Sequence, residues 1–223
     1  MDRSSVTSGR VGLMLIAAAL TSACGDSPNP AGPPDPGLPT LRLPVRVHVL
    51  SSRLANIAGT FSDQEVAALL ARVNEIWAQG DVEWQLESVV REPAEAEDAF
   101  EQALQGVIPL TSTLLASVFP RGQLSSAWDV FIVRDLTVTG GPGVYFPSIP
   151  MVVTSEIDPA GLGDPGRILA HELGHSLTLS HVPCTPAGNL MSPSCASQDR
   201  RRLDEGQIQR ARSQAALGVP TNF

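Results

Sequence analysis

The chain has 223 residues and a formal net charge of −8 at pH 7, and 43% of its residues are hydrophobic. An acidic protein is repelled by phosphate backbones, so this charge argues against nucleic acid as a partner. The length, without any visible internal repeat, suits one domain with a sizeable core behind a short leader.

Residues 1–23 are typical of an export signal. An apolar run at 11–20 is too short to span a bilayer but suits the core of a signal peptide. Small residues then precede Cys24, a pattern that resembles the bacterial lipobox, whose cysteine is lipidated and becomes the mature N-terminus. The alternative is an ordinary signal peptide cut after Ala23. Gly25 follows the cysteine, so the Asp that holds some lipoproteins in the inner membrane is absent.

Either leader predicts an exported protein. The lipobox resemblance implies a lipid anchor to the bacterial cell envelope, at the outer membrane, and an unlipidated chain would be periplasmic or secreted. Residues 24–40 are rich in Pro and Gly and predict an extended tether, which cannot bury apolar area. We expect the folded domain at residues 41–223, as a monomer.

The first elements of the domain alternate between strand and helix patterns. Residues 45–50 alternate as a strand, in which we interpret His48 as a packed residue rather than a ligand. Ser62 and Glu65 form a capping box that opens a helix to about Gln79. Further patterns predict strands at 82–90, 128–133 and 151–154, a helix at 94–104, an ambiguous segment at 108–118 and a loop at 140–143.

The segment that carries the chemistry runs from His171 to His181 and contains three of the four histidines of the chain. His171 and His175 are four residues apart, so a helix places both imidazoles on one face, a spacing that suits two nitrogens on one tetrahedral zinc. Glu172 lies on the flank of that face. His181 follows the expected helix end and could supply a third nitrogen. The alternative is an amphipathic helix with surface histidines.

The surrounding residues favour a helix that holds the motif against a core. Asp164 is a suitable N-cap and Pro165 a suitable first helical residue, and the helix could run to about Leu179. Four apolar residues would form its buried face: Ile168, Leu169, Leu173 and Leu177.

The segment resembles the metzincin clan of zinc metallopeptidases, whose signature is His-Glu-x-x-His-x-x-Gly-x-x-His followed by a Met-turn. The three histidines and Glu172 match, and the run 189–193 around Met191 is similar to the Met-turn of matrixins. One departure is Thr178, which stands at the Gly position, where a β-branched residue leaves the helix less easily. A second is that no Tyr follows Met191, so the extra Tyr ligand of some metzincins is absent.

This resemblance implies an exported zinc-dependent endopeptidase that cleaves a protein or peptide substrate. Neutral imidazoles of His171, His175 and His181 would bind one Zn²⁺, which would lower the pKa of its water and polarise the scissile carbonyl. Glu172 would act as general base and pass the proton to the leaving amine. Met191 would form an apolar floor under the metal.

The resemblance also implies a fold class, α/β (α+β). The expected architecture is a mixed twisted sheet with an active-site helix, a Met-turn and a C-terminal helix from Asp204 to about Leu217. Metzincins place the edge strand that lines the cleft before the catalytic helix, so we expect the substrate to pair with the run Met151, Val152, Val153 and Thr154.

The remaining cysteines, Cys184 and Cys195, bracket the Met-turn in an exported chain. A disulfide between them would close a loop of about twelve residues and contribute about 3 kcal/mol in the chain-entropy model. The alternative is zinc ligation by thiolate.

Two other functions stay open from the sequence. One is a gluzincin-like peptidase whose third ligand is acidic, such as Asp204 or Glu205. The other is a non-catalytic surface lipoprotein that keeps the fold as a binding module, although an intact Glu172 speaks against it.

Overall fold

The computed structural model describes residues 38–120, 126–157, 164–184, 188–193 and 200–219. The predicted signal peptide, Cys24, most of the tether and Cys195 lie outside these residues. Among the described residues, no helix is both long and apolar enough to cross a membrane.

The described chain forms one sheet with helices on both of its faces, which confirms the predicted mixed α/β class. Short 3₁₀ turns follow α1 and β3. The elements are, in chain order, β1 (Leu41–Ser51), α1 (Asp63–Trp77), β2 (Val82–Pro93), α2 (Glu97–Leu104), α3 (Ser112–Ala116), β3 (Trp128–Val133), β4 (Gly143–Phe146), β5 (Met151–Ser155), α4 (Pro165–Ser176) and α5 (Glu205–Leu217).

The strand order is β2-β1-β3-β5-β4, with β4 antiparallel to β5 and the other neighbours parallel. The prediction that Met151, Val152, Val153 and Thr154 form a free edge is therefore wrong. β5 lies between β3 and β4, and all of its residues are buried. A short continuous apolar run is typical of such an interior strand. The edge strand next to β5 is β4, which begins at Gly143, within the segment predicted as a loop.

Two apolar clusters cover the two faces of the sheet. One joins α1, α4 and α5 to the sheet through residues such as Val73, Leu173 and Ala211. The other joins α2 and α3 to the opposite face through Phe100 and Leu115. The first cluster fixes α4 above β4 and β5, and this packing positions the histidine segment.

The predicted starts of α1, α4 and α5 are confirmed, whereas α2 begins at Glu97 rather than at residue 94, and α1 ends at Trp77 rather than at about Gln79. Side chains of Ser62, Asp164 and Asp204 cap α1, α4 and α5 at their first turns. α4 ends at Ser176, earlier than the predicted Leu179, because the chain turns there.

The strand histidine is packed, as expected. The ring of His48 is 4% exposed, is stacked on Phe131, and lies between the carboxylates of Glu92 and Asp129.

Candidate active site

α4 brings the first two histidines together. Asp164 accepts a hydrogen bond from the Arg167 N–H at 3.1 Å, and Pro165 occupies the first turn, so the helix begins where the sequence predicts. The Nε2 atoms of His171 and His175 lie 3.1 Å apart on one face of the helix.

A tight turn after α4 brings in the third histidine. Thr178 adopts a left-handed conformation with φ 64°, the conformation that Gly adopts most easily. The N–H of Leu179 donates to the Gly174 carbonyl, and the N–H of Thr178 donates to that of His175, which together form a Schellman motif. Thr178 therefore makes the turn that the signature assigns to Gly.

The chain then returns His181 to the helix. The Nε2 atom of His181 lies 3.1 Å from that of His171 and 3.0 Å from that of His175. The three histidines form one potential metal-binding group, and within the described ranges this group contains no carboxylate or thiol.

Backbone carbonyls fix the tautomers of two of these rings. Nδ1 of His171 lies 2.7 Å from the Leu190 carbonyl oxygen, and Nδ1 of His175 lies 2.7 Å from that of Leu179. A carbonyl oxygen only accepts, so each Nδ1 carries a proton and each neutral ring keeps its lone pair on Nε2.

Burial favours these neutral forms. It lowers the pKa of His171 to about 4, although the hydrogen bond to Leu190 opposes the change. Burial also lowers the pKa of His175. Both rings are therefore neutral near pH 7, the state in which imidazole binds a metal.

The nitrogen cluster fits a zinc ion. Tetrahedral zinc with bonds of about 2.0–2.1 Å places its ligand nitrogens about 3.3 Å apart. The observed separations of 3.0 and 3.1 Å are close to this value. Two Nε2 lone pairs cannot hydrogen-bond to each other, so His171 and His175 repel unless a cation lies between them.

Glu172 lies beside this cluster in a buried position. It is 8% exposed, and burial raises the pKa of its carboxyl to about 8. The charge of Arg167 and a hydrogen bond from the Tyr145 backbone N–H oppose this rise. A carboxyl with a pKa near the working pH is suited to accept and return a proton.

Strand β4 packs directly against Glu172. A Cβ atom added to Gly143 would lie 2.8 Å from Glu172 Cγ and 2.9 Å from Ile168 Cγ2. Both distances are shorter than real Cβ contacts allow, so only Gly permits β4 to approach the helix this closely.

In the described part of the chain, no strand pairs with the outer edge of β4, and this edge lies on the side of Glu172. Ser155 donates its N–H to the Pro142 carbonyl, which fixes the alternation of the ladder between β4 and β5. By this alternation, the backbone groups of Gly143 and Tyr145 point away from β5. The Tyr145 N–H accordingly reaches Glu172.

The turn at residues 189–193 packs against the helix that carries the histidines. Met191 is fully buried, and a Cβ atom added to Gly174 of α4 would lie 2.6 Å from its sulfur. Asn189 accepts from the Met191 N–H at 2.8 Å and exchanges side-chain hydrogen bonds with Gln207 of α5. The turn is thus clamped to α5, and its Leu190 carbonyl orients His171.

The acidic third-ligand alternative finds no support in this geometry. Asp204 accepts from the Gln207 N–H as the N-cap of α5, and Glu205 accepts from Gln209 on the same helix. Cys184 is disulfide-bonded, so it is not a thiolate ligand. Cys195 lies outside the described residues, so its pairing with Cys184 stays a prediction, which a thiol count on the denatured, unreduced protein would check.

Sequence reasoning missed the groups that hold the site residues in place. The carbonyls of Leu179 and Leu190 orient two ligands, and Gly143 and Tyr145 contact Glu172. The Gly at 143 was the one available signal, since Gly within a strand often marks a close approach of backbone.

No protein-family model matches the chain, and no curated protein matches it. Among solved structures, an archaemetzincin from Methanopyrus kandleri is similar with a TM-score of 0.48 and 19% identity, covering 78% of this chain and 96% of that one. A metalloproteinase-II from Bacteroides fragilis has a TM-score of 0.45 and 11% identity, covering 83% of this chain and 56% of that one. A chain in a chaperone–substrate complex has a TM-score of 0.44 and 12% identity, covering 81% of this chain and 36% of that one.

Proposed function

We propose that this chain is a zinc-dependent endopeptidase. The observation that carries the proposal is the cluster of three Nε2 atoms, 3.0–3.1 Å apart, beside a buried carboxyl. His171, His175 and His181 would hold the metal as neutral ligands. Bound zinc would supply a Lewis acid that polarises a peptide carbonyl and makes water more acidic.

Glu172 is proposed as the proton carrier. As a carboxylate, it would accept a proton from the attacking water and release it to the departing amine. The Tyr145 N–H holds one side of the carboxylate, so the group is oriented before substrate arrives. A protein that only bound a ligand would not need an oriented Glu172, so this residue favours the enzyme over the binding module.

We propose that the substrate backbone adds to β4 rather than to β5. β4 is the edge strand next to β5. Its Tyr145 N–H is taken by Glu172, but the backbone groups of Gly143 and the Tyr145 carbonyl also point outward, so an extended peptide can pair with them by main-chain hydrogen bonds. The same groups lie against Glu172, which would bring the scissile bond to the proton carrier. This mode requires unfolded or loop segments as substrates.

The direct test is Glu172→Ala, with cleavage of an unfolded protein substrate and zinc content measured on the same sample. Loss of the proton carrier is expected to reduce turnover about 10²–10⁴-fold while zinc is retained. Glu75→Ala is the matched control, because Glu75 is exposed on α1, and it should cleave like the wild type. Wild-type turnover in Glu172→Ala would rule out this mechanism.

We also propose that the enzyme is exported and lipid-anchored to the cell envelope through Cys24. The basis is the sequence of residues 1–24, as described above. In a bacterial expression host, Cys24→Ala should move the protein from the membrane fraction to the soluble periplasmic fraction. A wild type that is already soluble would favour the ordinary signal peptide.

A further inference from the structure

A cleft of about 700 Å³ opens beside His175 and is not used by the chemistry described above. It lies between the end of β4, the turn after α4 and the last turns of α5. Tyr145, His175, Thr178, Gln214, Leu217 and Val219 line it, together with a few neighbouring residues of the same segments.

The walls of the cleft carry no Asp, Glu, Lys or Arg among the described residues. Leu217 lies at the rim of the cleft and is 81% exposed. A charged group entering such a site would lose water without gaining an oppositely charged partner, whereas an apolar group would gain burial against Leu217 and Val219.

The cleft lies at the end of β4, the strand with which the substrate is proposed to pair. Glu172 contacts β4 at Gly143 and Tyr145, whereas the cleft begins at Tyr145 and extends to Pro147, further along the strand. A peptide that pairs antiparallel to β4, the slightly more stable arrangement, runs in the opposite direction. Its residues near Pro147 then precede the bond that lies beside Glu172.

We infer that this cleft is a specificity subsite for a large uncharged side chain, aliphatic or aromatic, on the N-terminal side of the scissile bond, and that Leu217 of α5 is its main determinant. This inference rests on the proposed peptidase function. It names the substrate class as extended peptides that carry such a residue a short distance before the cleaved bond.

The test is a cleavage profile on a mixture of synthetic peptides, read by mass spectrometry, for the zinc-loaded full chain. The wild type should favour Leu, Met or Phe over Asp, Glu, Lys and Arg by about tenfold at one position before the cleaved bond. Leu217→Glu should lower cleavage of the apolar peptides and raise that of Lys or Arg peptides at the same position, each about tenfold. Zinc content should not change.

The matched control is Ala216→Glu, which adds the same charge to the neighbouring exposed residue, outside the cleft lining. Its profile should equal that of the wild type. The subsite is contradicted if the wild type has no preference before the bond, if Leu217→Glu leaves the profile unchanged, or if Ala216→Glu shifts it equally. A zinc-loaded wild type that cleaves no peptide contradicts the peptidase proposal itself, and the subsite falls with it.

Discussion

His175 donates its Nδ1–H to the carbonyl oxygen of Leu179 at 2.7 Å, so a residue just beyond the end of α4 orients a proposed metal ligand. Thr178 makes this contact possible, because its left-handed conformation turns Leu179 back over the last turn of α4. Helix termination and ligand orientation are therefore one structural feature in this protein.

Thr178→Gly is expected to stabilise the fold. A β-branched residue at φ 64° is strained by about 1–2 kcal/mol relative to Gly, and the greater freedom of Gly in the unfolded chain offsets part of the gain. In urea denaturation, we expect the free energy of unfolding of Thr178→Gly to be about 1 kcal/mol above those of the wild type and of Thr178→Ala. An Ala variant as stable as the Gly variant would show that the turn is unstrained.

Gly143→Ala is expected to impair catalysis without removing zinc. The added Cβ would lie 2.8 Å from Glu172 Cγ, so β4 or the carboxylate must shift. A displacement of about 1 Å in a catalytic group can cost about 10²-fold in rate. Gly141→Ala is the matched control, because its Cβ would meet only ordinary contacts. Equal turnover in both variants would argue against tight packing at Gly143.

The free energy of unfolding of the metal-free protein should fall between pH 6 and pH 8 because Glu172 loses its proton. Its pKa is raised to about 8 in the folded state from the ordinary value of 4.5, so the folded state binds the proton more tightly. This contribution is complete below pH 4.5 and is lost as the pH rises through 8. We expect the wild type to lose about 2 kcal/mol more stability than Glu172→Gln between pH 6 and pH 8.

The opposite sign applies to His171. Burial lowers its pKa to about 4 from 6.5, so the unfolded chain binds the proton more tightly. Its contribution to the free energy of unfolding is present above pH 6.5 and is lost as the pH falls toward 4. For this reason, the wild type and Glu172→Gln are compared at pH 6 and above. If the free energy of unfolding changes equally between pH 6 and pH 8 in the wild type and in Glu172→Gln, the raised pKa of Glu172 is contradicted.

Gly174 and Met191 should be energetically coupled. In a helix interior with space for the side chain, Ala is normally more stable than Gly by about 1 kcal/mol. At position 174, however, the added Cβ would lie 2.6 Å from the Met191 sulfur. Gly174→Ala should therefore destabilise the wild type. In the Met191→Ala background, which itself costs about 2–5 kcal/mol, the same change should be neutral or stabilising. Additive effects in this double-mutant cycle would show that a Cβ atom at position 174 does not contact the side chain of Met191.

The sequence predicted those parts of the site that depend on local spacing. His171 and His175 are related by helix geometry alone, and Asp164 and Pro165 mark the helix start. The sequence could not predict which strand faces the site. β4 is only four residues long, and the sequence of β5 is as compatible with an edge strand as with an interior one. Which strand is exterior depends on pairing between distant segments, as do the contacts of Gly143 and Tyr145 with Glu172.

The central claim, that three histidines bind one metal, is tested most directly by the zinc content of His181→Ala. The wild type should bind one zinc per chain, measured by mass spectrometry of metals after dialysis against a weak chelator. His181→Ala should bind zinc at least about 10–100-fold more weakly. His48→Gln, which alters the remaining histidine, should retain it. Zinc retention in His181→Ala equal to that of the wild type would contradict the account and exclude His181 as a ligand.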